Sequence, residues 1–114
     1  MLLTGQRVLV VEPEAFAAYA LEQRLRDLDA DEVMLVRDAR HACGALMSER
    51  GVRMAVIDVD ECAESAERLI SELDRLGVRV VRTTRQDEAP DALRKPYDMI
   101  DMERALGRLC GAEV

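Results

Sequence analysis

The chain has 114 residues, enough for one domain with a core of its own. Apolar residues make up 49% and charged residues 34%, which excludes a disordered tail or a fibrous repeat. The net charge of −7, with no run of bases, argues against a nucleic-acid partner, and no apolar run approaches the ~18 residues a membrane span needs.

The first apolar run, Arg7-Val8-Leu9-Val10-Val11, closes on Glu12-Pro13-Glu14. Apolar residues on both parities mark a strand buried on both faces. Phe16, Ala20, Leu21, Leu25 and Leu28 then recur at helical spacing and predict a core-facing helix. Glu32-Val33-Met34-Leu35-Val36-Arg37 reads as a second strand. Ala39, Ala42, Cys43, Leu46 and Met47 read as a second helix. Met54-Ala55-Val56-Ile57 is another doubly apolar strand and ends at Asp58. Ala66, Leu69, Ile70, Leu73 and Leu76 form a third helical stripe, and Gly77 supplies a stop. Val78 to Thr83 is the fourth strand. Met99, Met102, Leu106 and Leu109 make the last helix.

Strict alternation of strand and helix predicts a parallel sheet with right-handed crossovers and helices on both faces. The two cleanest apolar strands belong in the middle, and the charged ones nearer the edges. Such a sheet carries its ligand site at the carboxyl ends of its strands. One domain over 1–114, with a core over about 7–109, is expected. The first seven residues lack the pattern of a secretory signal, so the expected location is cytoplasmic. Cys43, Cys62 and Cys110 form no C-x-x-C pair, and the single His41 completes no zinc spacing with them.

The carboxyl ends gather an unusual set. The first strand ends in Glu12, the third in Asp58 followed by Asp60, and the fourth in Thr83 and Thr84. Lys95, the only lysine among sixteen bases, precedes the last helix in Lys95-Pro96-Tyr97. Two carboxylates ~4 Å apart repel by about 4 kcal/mol at an effective dielectric of ~20, so the cluster needs a cation or a lysine. Oxygen ligands favour a hard cation such as Mg²⁺. An ammonium and a hydroxyl at the rim suit an oxyanion carried by one carboxylate. The inferred chemistry is phosphoryl transfer onto Asp58.

With these pieces in order, the chain resembles the receiver domain of bacterial two-component response regulators. The resemblance rests on Val8-Leu9-Val10-Val11-Glu12, Ala55-Val56-Ile57-Asp58-Val59, Val80-Val81-Arg82-Thr83 and Lys95-Pro96-Tyr97-Asp98. It implies a flavodoxin-like doubly wound parallel sheet of order 2-1-3-4-5. It also implies that Asp58 accepts a phosphoryl group from a histidine kinase or a phosphotransfer protein, and that the domain signals to a downstream protein partner rather than working as an enzyme. By the same resemblance Thr83 is the switch hydroxyl, Lys95 pairs with the phosphoryl group, and Lys95-Pro96 is a cis peptide. Mg²⁺ would be held by Glu12, Asp58 and the backbone carbonyl of Asp60.

The sequence departs from that pattern twice. Pro13 stands where the family carries a second acid that ligates the metal. Only eleven residues, 84 to 94, separate Thr83 from Lys95, so the family's fourth helix should be missing or reduced and the fifth strand a short piece near Leu93-Arg94. Two further readings stay open. One is a phosphorylation-silent pseudo-receiver that serves as a protein-interaction module. The other is an aspartate-nucleophile phosphatase, since Asp58-Val59-Asp60 resembles the D-x-D of haloacid-dehalogenase-type enzymes, although only 56 residues follow Asp58. The incompletely covered sheet edge invites pairing with a second copy.

Overall fold

The computed structural model describes residues 2–48, 51–62, 64–86 and 92–111. Its elements are β1 (Arg7–Val11), α1 (Ala15–Asp27), β2 (Glu32–Val36), α2 (Ala39–Ser48), β3 (Val52–Asp58), α3 (Val59–Cys62), α4 (Glu64–Arg75), β4 (Arg79–Thr84), β5 (Ala92–Arg94) and α5 (Met99–Leu109). The strands form one parallel sheet of order β2-β1-β3-β4-β5. The doubly apolar β1 and β3 lie side by side in the middle, and the charged β2 and the three-residue β5 form the edges, as the composition of the strands predicts.

Strand side chains alternate between the two faces, and each face buries its own cluster. Val8, Val10, Met54, Val56 and Val81 pack against Leu21, Leu25, Met102 and Leu106 of α1 and α5. Leu9, Val11, Ala55 and Ile57 pack against Ala42 of α2 and Leu69, Ile70 and Leu73 of α4. An ion pair between Arg24 and Glu103 ties α1 to α5 at the rim of the first cluster.

Local chemistry sets the ends of the helices. Glu14 caps α1, its carboxylate accepting from the N–H groups of Phe16 and Ala17 at 3.1 and 2.7 Å. Asp98 caps α5 by accepting from Asp101 N–H at 2.8 Å. Gly77, at φ 78°, closes α4, with Val78 N–H reaching back to the Leu73 carbonyl at 2.8 Å.

Three expectations change. Phe16 and Ala20 do not face the core: Phe16 is 85% exposed. At 3.6 residues per turn, Phe16 lies about 140° around α1 from Leu21, so one stripe cannot hold both. Cys43 is exposed for the same reason of phase, and Leu76 because it lies beyond the last residue of α4, Arg75. Asp58 is followed directly by a turn of helix, α3. The short fifth strand is as expected, at Ala92–Arg94. The expectation of a missing or reduced helix falls on the connection from Thr84 to Ala92, of which residues 87–91 lie outside the described residues.

Candidate functional site

Register carries the site residues to one place. Val11 pairs with Ile57, Asp58 with Thr83, and Thr83 with Leu93. Glu12 and Lys95 are each the next same-face position beyond an apolar row. The rows run Val8, Val10, Glu12; Met54, Val56, Asp58; Val81, Thr83; and Leu93, Lys95. Period-two alternation thus extends the α1/α5 face of the core into a polar pocket at the carboxyl ends of four strands.

Glu12 and Asp58 are each 5% exposed, and Thr83 is 1% exposed. The Lys95 Nζ lies 2.5 Å from Glu12 Oε1 and 2.5 Å from Asp58 Oδ2. One ammonium against two carboxylates leaves the pocket a single net negative charge. Burial pulls the pKa of Lys95 down, but its bonds to Asp58 and Glu12 outweigh this and hold it above the ordinary 10.5. The remaining oxygens of the pair accept backbone N–H groups: Glu12 Oε2 from Glu14 at 3.1 Å, and Asp58 Oδ1 from Asp60 at 2.9 Å. Thr83 Oγ1 donates over a long 3.5 Å to the Ile57 carbonyl, so its hydroxyl is loosely held. The Lys95–Pro96 peptide is cis.

Asp60 turns its carboxylate toward β4. Oδ1 accepts from the Thr84 hydroxyl at 2.6 Å and Oδ2 from Arg85 N–H at 2.7 Å. The Thr84 bond is the main reason that its pKa lies below the ordinary 3.8; burial opposes it and the Arg85 N–H adds to it. Glu14 spends its carboxylate on the cap of α1 and lines the cleft beside Lys95. Sequence reasoning named Thr84 but gave it no task. Its parity, opposite to that of Thr83, was the available signal. Tyr97 was also left without one. Its phenol is pushed up to about 12 by burial and by the negative charges of Glu12 and Asp58. It lines a cleft of about 420 Å³ beside Lys95, shared with Ala17, Arg85 and Met99.

The donor set is all oxygen and suits a hard cation. Glu12 and Asp58 supply carboxylates, the Asp60 carbonyl is the third candidate, and Pro13 supplies nothing. Among the described residues no group of three acidic, His or Cys side chains is placed to hold a metal ion.

No family model matches the sequence, and no curated protein matches it either. Solved structures do. The BeF₃-activated SdrG of Pseudomonas melonis Fr1 is 24% identical, with a TM-score of 0.76 over 91% of this chain and 95% of that one. The receiver domain of a sensor histidine kinase of Pseudomonas aeruginosa, with a magnesium ion coordinated in its active-site cleft, is 24% identical, with a TM-score of 0.77 over 95% and 99%. The receiver domain of Saccharomyces cerevisiae Ssk1, in complex with the histidine phosphotransfer protein Ypd1, is 15% identical, with a TM-score of 0.80 over 96% and 91%. The chain has the receiver-domain fold.

Proposed function

We propose that this chain, folded as a receiver domain, accepts a phosphoryl group on Asp58 from a phosphohistidine and signals through a docked protein partner. The observation that carries this reading is the shared ammonium: Lys95 bonds Asp58 and Glu12 at 2.5 Å in a buried pocket at the strand ends. In the transfer, an Asp58 carboxylate oxygen attacks phosphorus, the P–N bond to the donor imidazole breaks, and an acyl phosphate remains. Lys95 stands ready to neutralise the added charge of about −1.5 to −2. Thr83, whose hydroxyl makes a long contact to the Ile57 carbonyl, can turn it toward the new oxygens. Glu12, Asp58 and the Asp60 carbonyl would hold a magnesium ion. When bound, it would screen the phosphoryl oxygens from the two carboxylates.

The donor would approach past the cleft beside Lys95. The solvent-facing part of α1 there offers Phe16, 85% exposed, and Tyr19, 62% exposed, an apolar surface suited to a helical phosphodonor. The kinase or phosphotransfer partner of other receivers supplies the class of protein expected.

A second reading, a receiver that binds partners without phosphorylation, is favoured by Pro13, which removes one carboxylate from the metal set. Incubation with acetyl phosphate and Mg²⁺ followed by intact-mass measurement decides between them. A phosphoryl adduct on the wild type that is absent from Asp58→Asn supports the first reading. An unmodified wild type supports the second.

A further inference from the structure

Four residues close a hydrogen-bonded ring around the pocket. Asp58 Oδ1 accepts from Asp60 N–H at 2.9 Å. Asp60 Oδ1 accepts from the Thr84 hydroxyl at 2.6 Å. The Thr84 carbonyl accepts from Lys95 N–H at 2.6 Å. The Lys95 ammonium returns to Asp58 Oδ2 at 2.5 Å. Thr84 is 1% exposed and points to the face of the sheet opposite Thr83, so it does not enter the pocket. Its hydroxyl oxygen also accepts from Gln86 N–H at 3.1 Å, while Asp60 Oδ2 takes the N–H of Arg85.

We propose that Thr84 is a positioning residue. From behind the sheet it locks the Asp60 carboxylate, the chain leaving β4 and the main chain of Lys95 into one unit, and so sets where the ammonium stands against Asp58. The inference rests on the phosphoacceptor reading for its consequence in phosphorylation, but not for the ring itself.

The physical case is one of satisfaction. A buried hydroxyl that donates to a carboxylate makes a charge-assisted bond, stronger than a neutral one. The acceptor side of the same oxygen is filled by Gln86, so the group is committed in both directions. Remove the hydroxyl and two partners lose their bond at once: the Asp60 carboxylate loses a donor and the Gln86 N–H loses an acceptor. The segment after β4 is then released from α3, and Asp60 no longer fixes the peptide that holds Asp58 Oδ1. Valine fills the volume of threonine without the hydroxyl, whereas serine keeps the hydroxyl without the methyl group.

The test uses the full chain and two readouts. Amide hydrogen exchange without any phosphodonor is measured at Arg85 and Gln86. Both are expected to exchange about tenfold faster or more in Thr84→Val and in Asp60→Ala, and close to the wild-type rate in Thr84→Ser. Modification of Asp58 by acetyl phosphate is expected to slow severalfold in Thr84→Val and to recover in Thr84→Ser. The proposal is overturned if Thr84→Val exchanges within about twofold of the wild type, or if serine fails to restore what valine removes. A wild type that acetyl phosphate leaves unmodified overturns the phosphoacceptor reading instead, and the exchange data then decide the role of Thr84 alone.

Discussion

Lys95 answers two carboxylates at once, and the consequences of losing it follow from burial. Lys95→Ala would leave Glu12 and Asp58 facing each other with no ammonium between them. Breaking a buried ion pair by removing one partner costs roughly 3–5 kcal/mol. Urea unfolding at neutral pH is expected to read a loss of that size, and acetyl phosphate is expected to modify the variant more slowly. The alkaline limb is also predictable. Tyr97 ionises at about 12 in the folded chain, against 10.0 ordinarily. Its neutral form therefore favours the fold fully below pH 10, and this contribution fades as pH rises from 10 to 12. Lys95, held above 10.5, loses its contribution in the same direction. Unfolding titrations at about pH 9 and about pH 11.5 are expected to show the wild type losing more stability than Tyr97→Phe, because the variant keeps the lysine and lacks the phenol. Of these residues, Glu12, Asp58 and Lys95 were legible in the sequence because strand ends are. The surroundings of Thr84 and Tyr97 were not, since a second threonine or a tyrosine near a loop is ordinary until burial and partners are known.

Among elements, β1, β3 and the Leu-rich faces of α1, α4 and α5 could be read directly, because strands buried on both faces write themselves as apolar runs. The phase of α1 could not: its alanines make every face look mildly apolar, and Phe16 was drawn into a stripe that only Leu21 and Leu25 define. The packing contribution of α5 rests on Met102 and Leu106, both 0% exposed. Leu106→Ala is expected to lower the unfolding free energy by about 2–5 kcal/mol in urea titration, through lost burial and the cavity left behind. Removing the cap at its start, Asp98→Ala, is expected to cost about 1 kcal/mol by the same measurement, with Asp98→Ser retaining most of it.

At the scale of the whole molecule, the docking surface proposed above lies apart from the core that carries stability. Phe16 and Tyr19 stand outside the core, so replacing both with alanine is expected to change stability by less than about 1 kcal/mol. The same double variant is expected to accept phosphoryl groups from acetyl phosphate at the wild-type rate and from a histidine phosphotransfer protein severalfold more slowly. Equal rates from both donors would place the docking surface elsewhere. The alternation that sends Val10 and Val56 into the core and Glu12 and Asp58 into the pocket also imposes a rule on length. Deleting one residue inside β3 would rotate Asp58 onto the α2/α4 side and present an alkyl group to Lys95, whereas deleting two would restore the facing at the expense of reach. Tolerance to insertions and deletions along the central strands should therefore follow even numbers, a parity constraint that substitution scanning alone would never reveal.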